Sequence, residues 1–255
     1  METYSSNFVE RLISYGTWLG EFIRFLAIRA YAGYHIRYRA LNKEILLLLN
    51  ESNRVLDVGC GVGDHILGFA RKFPNNDFVG IDIDSAAISN ARIRATYRKL
   101  NNIQYHELNC LKMKFQSQFD LIYTVDMLEH VDDVATVILN IRNALKPDGF
   151  LVLHVPHKPQ HRILKRLKKV KDEEHVRIGF SAQDLSTLLH EYHFQILSLK
   201  YTHGPLGAFA WELSYLSRHQ PLLAVLLVPL IQILCIGDHI VHNKRGNGVL
   251  LVAKR

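Results

Sequence analysis

An acidic residue followed by three alternate glycines, in the stretch 57–63 that reads Asp-Val-Gly-Cys-Gly-Val-Gly, is the residue pattern of this chain most suited to binding a ligand. Glycine lacks a Cβ, so a turn built from it can fold sharply and let a ligand lie against bare backbone. The run Ile66–Lys72 that follows predicts a helix, and the N-terminus of such a helix presents free N–H groups to a polar ligand. The pattern therefore predicts a strand, a tight turn and a helix that together bind a small polar molecule.

The spacing of the glycines separates two classes of ligand. A dinucleotide-binding turn reads G-x-G-x-x-G and holds a pyrophosphate at the helix N-terminus. Here the pattern is D-x-G-x-G-x-G, with Asp57 two residues before the first glycine. A carboxylate at this position repels phosphate and suits a ligand that carries an ammonium group. A glycine-rich turn in some other α/β protein is the alternative interpretation.

The segments after the turn predict the sheet that positions it. Asp82 lies ~20 residues beyond the glycines, where a carboxylate can bind both hydroxyls of a ribose. Asp84 and Ser85 have the character of a helix cap before the run 86–92. The predicted strands, with their terminal loops, are Val55–Val58, Phe78–Asp84, Ile103–Cys110, Phe119–Val125, Leu151–Val155, Phe194–Tyr201 and Val249–Lys254.

These elements, in this order, resemble the core of the class I S-adenosylmethionine (SAM) methyltransferases from about residue 40 to 201, with 249–254 as the last strand. The resemblance implies an α/β, Rossmann-like sheet of seven strands, six parallel and the last antiparallel, with SAM as cofactor. It divides the chain into an N-terminal helical lid (1–40), a SAM-binding core (41–201), an apolar helical insertion (202–248) and the last core strand (249–255). The residues that it places at the cofactor are Asp57, Gly59, Cys60, Gly61, Gly63, Asp82, Ile83, Asn109, Cys110 and Val125.

Within that resemblance, Asn109 departs from the common pattern. The family often has an acidic residue there, which touches the adenine amino group. The side-chain carbonyl of Asn109 can accept the same hydrogen bond, so the departure is mild.

The acids and histidine that follow the fourth predicted strand are the candidates for catalysis. Methyl transfer to a hydroxyl requires a base or a metal ion that removes the acceptor's proton. Asp126, Glu129 and His130 resemble the E-x-x-E-H element of the ubiquinone-biosynthesis O-methyltransferases, whose acidic and histidine groups can hold a divalent cation beside a catechol. Asp126 replaces the first glutamate with a shorter side chain. We therefore favour His130 as a base or substrate contact over its role as a ligand of Mg²⁺.

Other histidines leave alternatives open. Small-RNA 2′-O-methyltransferases use a related arrangement with a further histidine downstream, and His175 could fill that place and complete a metal set with Asp126, Glu129 and His130. Many methyltransferases without a metal have a similar L-E-H sequence, in which the histidine contacts substrate or packs. His154, at the end of the fifth predicted strand, is a further candidate base together with His157.

Three additions to the core are expected over the mouth of the site. The N-terminal part, from Phe8 to Ile36, mixes aromatic residues with arginine, which suits an interface between water and lipid. The segment Arg162–Lys171 predicts a basic amphipathic helix, suited to an anionic membrane surface. Between the last two strands, the run Pro221–Gly237 is almost wholly apolar and predicts a buried or membrane-dipping helical hairpin. Ordinary packing on the domain is the alternative for each.

Composition places limits on the class of protein. The chain has 255 residues, of which 48% are hydrophobic, enough for one α/β domain with additions. Its three cysteines are dispersed and odd in number, which argues for a reduced, cytoplasmic protein rather than a disulfide framework. No cleavable signal peptide is evident. The net charge of +7 indicates acidic partners such as anionic lipid or nucleic acid.

The sequence thus predicts a SAM-dependent methyltransferase. Its favoured substrate is the oxygen of a lipophilic small molecule, such as a lipid, quinone or polyketide-like compound, reached from a peripheral position on a membrane. RNA methylation is a second hypothesis, disfavoured because no base-stacking motif accompanies the basic residues. A SAM-binding protein without catalysis is the third. The pattern makes no prediction of oligomeric state.

Overall fold

The computed structural model describes residues 31–49, 53–164, 167 and 176–255. The strands are β1 (Arg54–Val58), β2 (Asp77–Asp82), β3 (Ile103–Glu107), β4 (Phe119–Val125), β5 (Leu145–Pro156), β6 (Gln195–Thr202) and β7 (Gly248–Lys254). The α-helices are α1 (Ala32–Leu48), α2 (Ile66–Lys72), α3 (Ser85–Tyr97), α4 (Val134–Ala144), α5 (Ala182–Glu191), α6 (Pro205–Ser217) and α7 (Pro221–Ile240). Two short 3₁₀ turns span Cys110–Lys112 and Leu128–His130.

All seven strands form one sheet, in the order β3-β2-β1-β4-β5-β7-β6. The pairs from β3 across to β5 are parallel, whereas β7 runs antiparallel to both β5 and β6. The predicted sheet of six parallel strands and a last antiparallel strand is therefore confirmed. The strand order reverses between β1 and β4, and ligands of open α/β sheets bind beyond the carboxyl ends of the strands at such a point.

The sheet is buried on both faces because its side chains alternate between two apolar layers. On one face, Leu56 and Ile122 pack with residues of α4 and α5. On the other face, Val55 and Leu121 pack with residues of α1, α2 and α3. This double coverage explains why the central strands read as continuous apolar runs.

Local signals in the sequence set several boundaries correctly. The helix predicted over Ile66–Lys72 has those bounds in the structure. The predicted cap at Asp84 is also confirmed, because its Oδ1 accepts hydrogen bonds from the backbone N–H groups of Ala86 (2.8 Å) and Ala87 (3.1 Å). These features depend only on residues close in sequence.

The insertion between β6 and β7 is helical, as predicted. It consists of α6 and α7, which pack on each other and on α1 around a small apolar cluster that includes Ile36, Ala210 and Ile231. Residues 1–30, most of the basic segment 162–171 and His175 lie outside the described residues. The proposed division of the chain into lid, core, insertion and last strand stays a prediction.

One described helix is long and apolar enough to cross a membrane by length and composition. The segment Leu222–Ile240 has a mean hydropathy of 2.1, and 17% of its most apolar window is buried. Plain burial was one of the two alternatives for this run, and in the structure most of its apolar side chains are exposed.

Candidate functional site

The glycine turn after β1 requires left-handed backbone at each glycine. Gly59, Gly61 and Gly63 have φ angles of +78°, +54° and +79°, a region that side chains with a Cβ rarely adopt. The backbone N–H groups of Gly59 and Cys60 donate to the carbonyl of Ile81 at 2.9 and 3.0 Å. The turn is thereby fixed against the end of β2.

Only one of these three glycines faces open space. A Cβ at Gly59 would lie 2.5 Å from Met127 Cγ, and a Cβ at Gly63 would lie 2.5 Å from the hydroxyl of Tyr105. A Cβ at Gly61 would meet no atom of the described residues within 4 Å. Its N–H donates to Asp82 Oδ2 at 2.7 Å. Gly61 is therefore the point at which a ligand can approach the backbone closely.

The carboxyl group of Asp57 lies beneath this turn and is 3% exposed. Burial raises its pKa to about 8, and the neighbouring hydroxyl of Tyr123 opposes that rise. A buried carboxylate without a cation is costly, so the group retains its proton near neutral pH. A ligand ammonium beside Asp57 would stabilise the carboxylate, which fits the amino-acid end of SAM.

The side chains predicted for the nucleoside half lie along the same edge of the sheet. Asp82 ends β2, and its Oδ1 accepts a hydrogen bond from the N–H of Asp84 at 2.9 Å. Each carboxylate oxygen has a second lone pair, so Asp82 can still accept two ribose hydroxyls. Ile83, the next residue, is 67% exposed despite its apolar side chain, as expected of a residue that a flat ligand covers.

The remaining predicted cofactor contacts are less distinctive. Asn109 Oδ1 accepts from the N–H of Leu111 at 2.9 Å, so it caps the following turn and keeps one lone pair for an adenine amino group. Burial raises the pKa of the Cys60 and Cys110 thiols, which are therefore neutral packing groups. Val125 is half-buried at the end of β4. The described residues thus fit SAM, although their individual roles stay predictions.

Asp126 follows β4 with a φ of +46°, which is unusual for a residue with a side chain. Its Oδ2 accepts from Arg37 Nη1 at 2.7 Å, and its Oδ1 lies 2.6 Å from His154 Nδ1. Burial raises the pKa of Asp126, but Arg37 and His154 more than offset this and hold it well below its usual range. Asp126 is therefore a fixed anion at neutral pH.

A row of buried polar side chains continues from His154. His154 Nε2 lies 2.8 Å from Thr202 Oγ1, and Thr202 Oγ1 lies 3.2 Å from His203 Nδ1. The three residues are between 1% and 8% exposed. We call the set Arg37, Asp126, His154, Thr202 and His203 the polar row.

The Mg²⁺ site that the sequence leaves as an alternative is not formed by the described residues. No group of three or more histidine, cysteine, aspartate or glutamate residues there is arranged to hold a metal ion. Glu129 is buried and His130 is exposed, while both oxygens of Asp126 already bind Arg37 and His154. These residues do not fit a divalent cation, and His175 lies outside the described part of the chain.

Sequence reasoning missed most of the polar row. Arg37 was attributed to the lid, and Thr202 and His203 were placed in a long insertion without a role. His154 was an alternative candidate, whereas His157 turns away and its Nδ1 donates to the carbonyl of Gly246 at 3.0 Å. Residues 89 positions apart meet at Arg37 and Asp126, and only the fold brings them together.

The sheet order, the glycine turn and the acids at the strand ends define a Rossmann-like, nucleoside-binding class of fold. A family model described as a methyltransferase domain matches residues 31–199. The chain belongs to this methyltransferase family, and the resemblance to SAM-dependent methyltransferases is confirmed.

Individual relatives agree with this family. The chain is 32% identical over 126 residues to a ubiquinone biosynthesis O-methyltransferase of Acinetobacter baylyi, covering 45% of this chain and 52% of that protein. The chain spans about half the length of the curated relatives it matches.

Solved structures share the fold at low sequence identity. The [4+2]-cyclase SpnF has a TM-score of 0.62 at 21% identity, over 85% of this chain and 81% of that one. Phosphoethanolamine N-methyltransferase 2 of Haemonchus contortus, in complex with SAM, has a TM-score of 0.60 at 15% identity, over 84% of this chain and 52% of that one. Because a cyclase and a methyltransferase share it, the fold alone does not define the reaction.

Proposed function

We propose that the protein transfers a methyl group from SAM to an oxygen atom of a lipophilic small molecule at a membrane surface. SAM supplies a methyl group already activated on a sulfonium. The protein's own part is to align the reactants, exclude water and remove the acceptor's proton. The apolar face of α7 is the observation that carries the choice of substrate and location.

The cofactor side of the proposal is supported by the glycine turn. The open backbone at Gly61 admits the amino-acid half of SAM, and Asp57 offers a carboxylate for its ammonium group. Asp82 offers acceptors for the ribose hydroxyls, and Ile83 offers an apolar surface beside them. This arrangement has no partner for a pyrophosphate, because carboxylates stand where a dinucleotide would carry negative charge.

The acceptor side is supported by the turn after β4. His130 is exposed there, and an imidazole is the side chain best suited to accept a hydroxyl proton near neutral pH. Anionic Asp126 lies four residues before it in the same turn and favours a positive charge on the imidazole once it has taken the proton. The relatives act, by their name, in ubiquinone biosynthesis, which makes a ring hydroxyl with a lipophilic tail a reasonable acceptor here.

The membrane side is supported by the exposed stripe of α7. Leu222, Leu226, Ile233 and Ile240 recur at helical spacing and are between 66% and 82% exposed. Since β6 and β7 flank the insertion and belong to one sheet, α7 would lie in the interface rather than cross the bilayer. A lipophilic tail could then remain in the membrane while its polar head reaches the site. The excess of basic residues, with a net charge of +7, favours anionic lipid.

Two measurements test this proposal. Labelled SAM incubated with the protein and a lipid extract should give a labelled, solvent-extractable product. In flotation with vesicles of phosphatidylglycerol and phosphatidylcholine, the wild type should bind. The double variant Leu226→Glu with Ile233→Glu should lose most of that binding, because two charges would enter the acyl region.

The control places the same change on another helix. Leu47 is 73% exposed but belongs to α1 and not to the stripe of α7, so Leu47→Glu should leave flotation unchanged. Label recovered in RNA, or equal flotation of the double variant and the wild type, would reject the lipophilic substrate or the membrane position respectively. Activity that survives a chelator would agree with the absence of a fitting Mg²⁺ site among the described residues.

A further inference from the structure

The polar row occupies a position that the cofactor contacts do not explain. It runs from α1 through the residue that follows β4 and across β5 to the end of β6. Four of its members are charged or can carry a charge, yet the row is largely buried. Burial of so many polar groups is costly unless each has a partner, and such networks fix a single arrangement of side chains.

The direction of every hydrogen bond in the row follows from the charge of Asp126. A carboxylate only accepts, so His154 carries a proton on Nδ1, and the neutral form of the ring then has a bare Nε2. The Thr202 hydroxyl therefore donates to Nε2 and accepts from His203 Nδ1. Burial lowers the pKa of His203 to about 3, so this ring is a neutral donor at physiological pH. All donors thus point towards Asp126.

A glycine makes the contact between His154 and Thr202 possible. The two residues belong to β5 and β6, and β7 runs between these strands. Gly248 of β7 pairs with Thr202, and a Cβ at Gly248 would collide with the Thr202 hydroxyl and lie 2.9 Å from His154 Nε2. The side chains therefore meet over a residue that has no side chain of its own.

The row has the connectivity of an acid, imidazole and hydroxyl triad, but not its accessibility. Thr202 is 6% exposed and His154 is 1% exposed, so neither the hydroxyl nor the free lone pair of the imidazole reaches a ligand. A nucleophilic or general-base role for His154 is excluded on this geometry. What remains is the effect of the row on Asp126, which follows β4 directly and precedes Glu129 and His130 in the same turn.

We propose that His154 is a positioning residue, which holds Asp126 as an oriented anion at the acceptor site, and that Thr202 holds the His154 ring in the orientation this requires. This inference rests on the proposed function for its catalytic consequence only. A carboxylate held in a left-handed backbone conformation by two partners presents a negative charge of constant direction. That charge favours the imidazolium of His130 and the sulfonium of the methyl donor.

The first test reads the tautomer without any substrate. Long-range ¹H–¹⁵N spectra of the labelled protein distinguish a protonated ring nitrogen from a bare one. The resonance that disappears in His154→Gln identifies the residue. We expect the Nδ1–H tautomer in the wild type and a shifted Nε2 resonance in Thr202→Val, which keeps the shape and removes the donor. An Nε2–H tautomer in the wild type would overturn the proposal.

A matched control uses the same substitution on a neighbouring strand. Thr124 on β4 is 0% exposed and its hydroxyl has no hydrogen-bond partner, so Thr124→Val should leave the His154 resonance unchanged. With SAM and a hydroxylated aromatic probe, Thr202→Val should lower kcat by about tenfold, the effect of one lost buried hydrogen bond, with SAM affinity unchanged by calorimetry. Thr124→Val should match the wild type in kcat and in SAM affinity.

The outcomes separate this inference from the proposed function. A wild type that binds SAM but methylates no acceptor would reject the proposed activity, and the tautomer spectra would then decide the positioning role alone. If Thr202→Val leaves both the resonance and kcat at wild-type values, the positioning role is wrong even though the enzyme is active.

Discussion

Among single residues, Gly61 makes the clearest test of where the cofactor lies. Its left-handed backbone disfavours any Cβ by roughly 1–2 kcal/mol, but no neighbouring atom would clash with one. Gly61→Ala should therefore fold with a modest loss in the free energy of unfolding. It should weaken SAM binding at least about tenfold, because the new methyl group projects into the space where the ligand approaches. Calorimetry with SAM and chemical denaturation measure the two effects.

The control for this change is the neighbouring glycine that faces the interior. Gly63→Ala would press against the Tyr105 hydroxyl, so its main effect should be on stability. If Gly61→Ala bound SAM as tightly as the wild type, the open space at this turn would not be the cofactor site.

The carboxyl group of Asp57 gives a pH-dependent prediction. Its pKa of about 8 in the folded protein exceeds the value of about 4 expected in the unfolded chain. Below pH 8 the empty site holds a proton that an ammonium ligand must displace. SAM affinity should therefore rise with pH from about 5.5 to 7.5, below the pKa of about 8 of the ligand's own amino group.

Calorimetry in two buffers of different ionisation enthalpy should detect release of up to one proton per SAM near pH 6.5. Asp57→Asn should bind SAM more weakly. It should show neither the proton release nor the increase in SAM affinity with pH. Because the pKa of Asp57 is raised in the folded protein, the free energy of unfolding of the ligand-free protein also depends on pH. Its protonated carboxyl group favours the folded state, and this contribution is lost as pH rises towards 8. A wild type whose SAM affinity is flat over this pH range would contradict the role of Asp57.

At the scale of elements, α6 and α7 are joined by a buried carboxyl group. Asp238 of α7 is 4% exposed, and its Oδ1 accepts from the N–H of Gly207 in the first turn of α6 at 3.0 Å. The residue before α6, Gly204, has no side chain to cap the helix. Asp238 therefore does the work of an N-cap from a different helix.

Loss of this cap should be measurable as stability. Asp238→Ala should lower the free energy of unfolding by about 1–2 kcal/mol, since it leaves a helix N-terminus without its acceptor. Asp238→Asn keeps a carbonyl oxygen in the same place and should retain most of the stability. Urea denaturation of both variants checks this, and equal stability of Asp238→Ala and wild type would show that the contact does not stabilise the insertion.

The same elements show which parts of the structure could be predicted from sequence. The ends of α2 and the cap at Asp84 depend only on residues close to them in sequence. The turn after β1 likewise follows from the spacing of its glycines. The Asp238 cap joins residues 31 positions apart, and the bond between His154 and Thr202 spans 48 positions. No periodicity or capping rule reports such pairs. Such long-range contacts depend on the order of the strands in the sheet and on positions, such as Gly248, where the lack of a side chain leaves space.

Sequence reasoning kept metal binding by the acids after β4 as the alternative to a base at His130, and the described residues do not support that alternative. An acid, two residues and an acid followed by histidine can surround a cation only if the oxygens are free. Here Asp126 turns through a left-handed conformation towards Arg37 and His154 instead. Arg37 lies in a part of the chain where the sequence pattern indicated a lid, so its charge could not be assigned to the site in advance.

At the scale of the whole molecule, the choice between two nucleoside ligands can be read from thermal stability. The ribose carboxylate at Asp82 would suit either NAD or SAM, but Asp57 and the glycine spacing disfavour a pyrophosphate. A ligand that binds only the folded state adds about 2.7 kcal/mol at 100 times its dissociation constant. For a chain of this size that corresponds to a rise in Tm of roughly 5–10 °C.

We therefore expect SAM and its demethylated product to raise the Tm of the wild type by several degrees, and NAD at the same concentration to leave it unchanged. Asp57→Asn should lose most of the rise without losing the fold, since the change is nearly isosteric and removes only the charge. A rise in Tm with NAD and none with SAM would assign the turn to dinucleotides. This measurement tests the nucleoside site in the intact chain, independently of the acceptor and of any membrane.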